Sequence, residues 1–323
     1  MSVHIILFDA EGRDKEVEVQ EGMVNKLSEN QLLWVDMRNA DEAEIQRIGE
    51  IFGLDKACVR DLIEVHHRPE LRNYGTYFHL QVIGVARKDN KDEPVHLDMV
   101  AGENFVVTVQ QEDLKLLDDF NEQMRGDTQI GKLGSADFVA ALLDLHLDSY
   151  YHALNVMEDQ IDRFDDAALS GKLSSKAEIS TLVGMRRWVR HLRRLLIPHR
   201  DVYSRLARPD FAQFFHNGTA GYVDSLNGRL EKAIDAVENG RDLVFGSFDI
   251  LMAQNAENTN NIVKVLTVVT VAASLSGVIA GTLGMNFQAD FFGSGNVGFF
   301  AAVSVMVIII IAIIALARAR KWI

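Results

Sequence analysis

Residues 262–286 read IVKVLTVVTVAASLSGVIAGTLGMN, and the fold is decided there. From 265 to 283 there are nineteen consecutive residues without a formal charge, and a second uncharged run of twenty-one begins at Val297. Each is close to the ~20 residues that carry a helix across a bilayer core. The chain therefore reads as a membrane protein with two C-terminal spans, at about 262–284 and 297–317. Between them sits Gly284-Met285-Asn286, where the first apolar run stops and a short polar connection begins.

Working outward, the charges give an orientation. Arg318, Arg320 and Lys321 follow the second run, whereas residues 287–296 contain no Lys or Arg. By the positive-inside rule both termini are expected in the cytoplasm, with the chain a multi-pass protein of the inner (plasma) membrane. The total charge is −13 and residues 262–323 carry +3, so residues 1–261 carry −16. So acidic a portion repels a phosphate backbone and attracts cations, which disfavours a nucleic-acid partner. The single Cys58 excludes an intramolecular disulfide, and no basic region near Met1 suggests a secretory signal.

Residues 1–135 read as a cytoplasmic α/β domain. Short branched runs at 3–8, 16–19 and 32–36 predict strands, 41–52 a helix, and 77–86, 95–100 and 105–109 further strands, the last two joined by a turn at 101–104. Residues 136–261 read as long helices forming a stalk or funnel, because apolar residues there fall into helical periodicity. One is predicted to end near Ala168, one to run over 175–206, and a third to start near Thr219. No strong breaker separates Tyr222 from Leu283, so stalk and first span are expected to be one helix, and a helix that long needs partners. The fold class is thus an α+β membrane protein, with residues 262–323 as its transmembrane part.

Steps of three and four residues along this helix connect Asn260, Val263, Thr267, Thr270, Ser274, Gly277 and Gly281, which place them on one side. Small and hydroxylated residues on a span serve close helix packing or line a water-containing conduit, and the two are compatible. Two spans cannot enclose a pore, so a conduit requires several copies around an axis. Val263 with Leu266 would give an apolar constriction, Asn260 a polar ring below it, and Asp249 a carboxylate ring in the stalk. Gly284 lets the chain leave the helix, and the Asn286 amide oxygen suits a hard cation held through its hydration shell.

The arrangement resembles the CorA family of divalent-cation transporters, which carry a Gly-Met-Asn signature at the end of the first of two C-terminal spans. Further similarity lies at Asn258-Thr259-Asn260, Lys264-Val265-Leu266-Thr267, Trp34-Val35-Asp36 and His67-Arg68-Pro69, at residues 104–109, and at 193–200 with its central Pro198. The resemblance implies a homopentamer with the first-span helix on the axis. It assigns Gly284, Met285 and Asn286 to the selectivity filter, Asn260 to an inner polar ring, and Val263 and Leu266 to a hydrophobic gate. A cytoplasmic carboxylate sensor between subunits is half matched: Asp61 fits, the opposing position is Ser225, and Asp224 lies beside it. The loop 288–296 lacks the Met-Pro-Glu-Leu stretch of magnesium-transporting members, and residues 198–206 are similar to the zinc-transporting ZntB branch as well.

The expected function is therefore influx of Mg2+, with Co2+ and Ni2+ as further cargo; a ZntB-like, proton-coupled Zn2+ transporter is the alternative, and a non-conducting membrane-anchored scaffold the rival from another class. No resident cofactor is expected. No nucleophile with a base, P-loop or dinucleotide fingerprint is found, so an enzyme is not expected. His66-His67 reads as a surface pair. The acids Asp144, Asp148, Glu158, Asp159, Asp162, Asp165 and Asp166 are expected to pair with Arg186, Arg187, Arg190, Arg193 and Arg194 across a helix hairpin.

Overall fold

The computed structural model describes residues 2–12, 14–20, 22–28, 30–64, 66–88, 91–111, 117, 120, 130, 134–170, 176–215, 220–285, 295–320 and 322. The chain divides into two compact units, residues 1–164 with 175–246, and residues 165–174 with 247–323.

The first unit is built on a seven-stranded sheet in the order β2-β1-β3-β7-β6-β5-β4. Its strands are β1 (Ser2–Asp9), β2 (Lys15–Glu16), β3 (Gln31–Arg38), β4 (Glu70–Asn73), β5 (Phe78–Lys88), β6 (Lys91–Ala101) and β7 (Phe105–Gln110). Among the described strands only β3 and β7 pair in parallel. Central strand β3 is buried on both faces, as its unbroken apolar core Leu32-Leu33-Trp34-Val35 requires. Leu33, Val35 and Met37 join a cluster with Ile45 and Ile48 of α1 (Glu42–Ile51) and Cys58 and Leu62 of α2 (Lys56–Ile63). Trp34 points to the other face, where its ring lies 5.3 Å from Phe138, and its indole N–H donates to Thr108. At the β6–β7 turn a Cβ on Gly102 would meet the Phe105 ring at 2.1 Å, so glycine is required there.

Helices α3 (Ser135–Leu169), α4 (Lys176–Leu196), α5 (His199–Leu206) and α6 (Ala220–Leu283) follow. The expected continuous helix over 175–206 is instead two. Pro198 supplies no N–H to the preceding turn and crowds it, so α4 stops at Leu196 and α5 restarts at His199. The strand expected at 16–19 shrinks to Lys15–Glu16, with one further backbone bond from Val17 N–H to the Ile5 carbonyl of β1 at 3.0 Å.

That break places His199 at an open sheet edge. Strand β4 covers β5 only from Phe78 to Gln81. Beyond it the edge would be bare, and side chains replace the missing strand. The Ile83 N–H donates to His199 Nε2 at 3.1 Å, and the Ile83 carbonyl accepts from the Tyr150 hydroxyl at 2.6 Å and from His146 Nε2 at 3.0 Å. Val85 N–H donates to Ser149 Oγ at 3.1 Å. The second nitrogen of His199, Nδ1, faces the Leu196 carbonyl at 3.2 Å, so its neutral form fits both contacts.

Burial pushes His146 from 6.5 down to about 4 and His199 well below its usual value, aided by the neighbouring His146. The unfolded chain takes up protons near pH 6.5 while the folded one resists them. The pair's contribution is therefore complete above about pH 6.5 and declines steadily as the pH falls toward about 4. Denaturation midpoints of the full chain in detergent should fall over that window, and His146→Gln/His199→Gln should flatten the fall. Parallel profiles for the two proteins would contradict this reading.

Candidate functional site

Helix α6 has 64 residues, roughly 95 Å at 1.5 Å per residue. Its first half buries Val223, Leu226, Leu230, Ala233, Val237, Gly240 and Val244, an alternation of three- and four-residue steps that keeps one side against the first unit. At Gly240 an added Cβ would lie 2.8 Å from Met157 Cε, so α6 approaches α3 closely at that turn. Ion pairs fasten the flanks. Arg229 binds Asp144 and Asp148 of α3, Glu238 meets Arg193 of α4 at 3.1 Å, and Glu231 meets Arg200 of α5 at 2.5 Å. Among the described residues these links run through α6, and none joins the acids of α3 to the arginines of α4 across the hairpin as the sequence suggested. The reason is that α6 offers both Arg229 and Glu231/Glu238 on its two flanks.

In the second unit, α6 and α7 (Asn296–Ala319) are long and apolar enough to cross a membrane. Along the span half of α6, Lys264, Val268, Ala272, Ser276, Ile279 and Leu283 are buried or half-buried. On α7 the corresponding stripe is Gly298, Ala302, Met306, Ile309, Ile313 and Ala317. Both stripes repeat every three or four residues, and small residues in each permit close backbone approach.

The predicted seam lies on the far side of α6 from its stripe. Asn260, Val263, Thr267, Thr270, Ser274, Gly277 and Gly281 are all exposed, as is Leu266 at 61%. The Thr267 hydroxyl donates to the Val263 carbonyl at 2.8 Å, so its oxygen turns outward only lone pairs. At the helix end Gly284 N–H still bonds Ala280 O at 3.0 Å, and Met285 N–H bonds Thr282 O at 3.3 Å, a tightened last turn. Met285 is exposed, whereas Asn286 and the connection through 294 lie outside the described residues.

The cytoplasmic candidates differ in setting. Asp224 and Asp249 are exposed on α6, as is Ser225. Asp61 is 4% exposed, and its carboxylate accepts from the Arg72 guanidinium, with His66 Nε2 at 3.6 Å and Arg60 Nε at 3.9 Å. Arg72 also binds Glu70, which it holds below the usual carboxylate range. Among the described residues of one chain no group of three His, Cys, Asp or Glu side chains is arranged to hold a metal ion. Sequence reasoning passed over Arg72. Its signal was the Glu70-Leu71-Arg72 alternation, which puts both charges on one face of an edge strand.

Comparison with known proteins places these features. A family described as "CorA-like Mg2+ transporter protein" matches residues 29–321. A cobalt/magnesium transport protein, CorA of Thermotoga maritima, is 25% identical over 293 residues, covering 90% of this chain and 83% of that protein. The zinc transport protein ZntB of Yersinia enterocolitica is 18% identical, over 77% of this chain and 74% of that protein. Among solved structures, the CorA magnesium transporter of Methanocaldococcus jannaschii superposes with a TM-score of 0.76 at 18% identity, covering 100% of both chains. This likeness establishes the expected fold class: an α/β domain, a long helix and two C-terminal apolar helices.

Removing Arg72 leaves the buried Asp61 charge without its closest partner. Arg72→Ala should cost about 1–3 kcal/mol of stability, and Arg72→Ala/Asp61→Asn should recover part of it. Denaturant titration of the full chain measures both, and an unchanged midpoint for Arg72→Ala would contradict the assignment.

Proposed function

The chain belongs to the family of CorA-like Mg2+ transporter proteins, and from that membership we propose that it carries Mg2+ into the cytoplasm, with Co2+ and Ni2+ as further cargo, through a conduit lined by the span half of α6 in a homopentamer. It is a divalent-cation transporter, not an enzyme, and the cation is its cargo rather than a resident cofactor. The observation that carries the finer reading is the exposure of the polar seam, opposite the half-buried stripe of the same helix. The Asn260 amide and the lone pairs that the Thr and Ser oxygens turn outward on that side find no donor in lipid, and are well matched to water held between copies.

Each part then has a physical task. A ring of Asn286 oxygens at the outer end would hold a hydrated divalent ion, since Mg2+ sheds water reluctantly. Gly284 and Met285 shape that mouth. The hydration waters of a cation point their hydrogens outward, so the Thr267, Thr270 and Ser274 oxygens can accept from them, while Gly277 and Gly281 leave width. Val263 and Leu266 would close the conduit by dewetting, and Asn260 and Asp249 would gather the ion below. The division into 1–135, 136–261 and 262–323 assigns regulation, transmission and conduction. Asp224 is open to a cation, whereas Asp61 can join it only on releasing Arg72. The positive-inside pattern supports cytoplasmic termini, and the chain would then lie in the inner membrane.

A second reading, Zn2+ transport coupled to protons, is favoured by the likeness to ZntB and by the departure of loop 288–296 from the magnesium pattern. Reconstitution in proteoliposomes tests both. Mg2+ influx should exceed Zn2+ influx and be indifferent to a pH gradient, and Asn286→Ala should lower it on the order of tenfold, about 1.4 kcal/mol of lost ion stabilisation. Zn2+ flux that rises with the gradient would replace the first reading by the second. Unchanged Mg2+ flux in a folded Asn286→Ala protein would remove Asn286 from the filter.

A further inference from the structure

The C-terminal half of α4 concentrates Arg186, Arg187, Arg190, Arg193 and Arg194 in a chain whose net charge is −13. Several nearby acids are already engaged, since Asp144 and Asp148 hold Arg229, Glu238 holds Arg193 and Glu231 holds Arg200, while Asp235 adds its charge beside Arg200. Among the described residues no carboxylate forms an ion pair with Arg187, Arg190 or Arg194. Those three stand at i, i+3 and i+7 and so share one helix face. Like charges at i, i+3 and i, i+4 destabilise a helix, a cost that an anion between them would reverse.

The face is open to solvent, with Arg187, Arg190, Arg193 and Arg194 all exposed. Arg187, Arg190, His191, Arg193, Arg194, Ile197 and Pro198 line a recess of about 570 Å3. That lies within the roughly 300–1,000 Å3 typical of small-molecule sites. Arg194 is pre-oriented, because its Nη2 donates to His191 Nδ1 at 3.0 Å, and the His191 ring rests 5.4 Å from Trp188. Burial and the Arg194 charge lower the His191 pKa, which keeps the imidazole neutral and able to accept. Arg193 is likewise fixed by Glu238. The planar guanidinium fork matches phosphate oxygens in pairs, which a lysine cluster would not.

We propose that this recess binds a soluble phosphate-class oxyanion of pyrophosphate or nucleoside-polyphosphate size. Arg187 and Arg190 are its principal ligands, Arg194 is aimed by His191, and Ile197 with Pro198 forms the apolar wall. The site is separate from the span seam and does not depend on which cation is carried.

Pyrophosphate is titrated into the full-length protein in detergent, at low salt and without divalent cations, with heat and tryptophan fluorescence as readouts. One saturable event per chain is expected. Arg187→Gln and Arg190→Gln should each weaken it about tenfold, as loss of a charge-assisted hydrogen bond implies. Arg163→Gln, on the exposed face of α3, should leave it unchanged, and melting curves should show all three variants folded. No saturable binding, equal weakening by Arg163→Gln, or binding only to vesicles of anionic phospholipid would each overturn the proposal.

Discussion

Inside a hydrocarbon layer no water is available to a bare peptide group, so residues 262–283 must satisfy their hydrogen bonds within the segment and remain helical. Much else in the chain follows from this constraint. The helix cannot end at the membrane surface, because no breaker stands between Tyr222 and Leu283, and α6 therefore continues through 64 residues. One half of it must be soluble on one side and packed on the other. The second half must cross with polar residues aboard. The back-bonded hydroxyls of Thr267, Ser276 and Thr282, each 2.8–2.9 Å from the carbonyl four residues earlier, meet that requirement without a neighbour.

The two halves solve their packing differently. The first buries an alternating seam against α3, lets Gly240 come close to Met157, and ties its flanks with Arg229, Glu231 and Glu238. Exposed ion pairs contribute at most about 1 kcal/mol each, so the apolar seam does most of the holding and the charges set the register. The span half buries little within one chain, with Val263, Leu266 and Val269 all more than half exposed. A helix so incompletely covered within one chain needs further partners, and under the proposed function those are lipid on one side and other copies on the other.

Features set by local spacing were legible in the sequence. The continuity of α6 through 64 residues and the strands β1, β3, β5, β6 and β7 follow from the absence of breakers, from periodicity and from turn residues. What escaped depends on contacts distant along the chain. Strand β4 is short, edge-placed and charged, so Glu70-Leu71-Arg72-Asn73 carries no apolar alternation. Pro198 was visible, yet the strong helical periodicity on both sides masked the break it causes. The role of His146 and His199 in sealing β5 could not be inferred, because it arises only where a strand four residues long leaves an eleven-residue neighbour uncovered. Charge pairing was misassigned for the same reason: composition names the acids and bases, but only packing decides which of them α6 separates.

Under the proposed function the Asn260–Gly281 side of α6 faces water and the opposite side does not. Single cysteines placed in the assembled protein in membranes, with Cys58 replaced by Ala, test it by reaction with a membrane-impermeant thiol reagent. Positions 267, 270, 274 and 277 should be modified and should lose cation flux when modified, while 268, 272 and 276 should stay protected. Modification that follows positions 268, 272 and 276 instead, or that leaves flux intact at 267 and 270, would contradict the account.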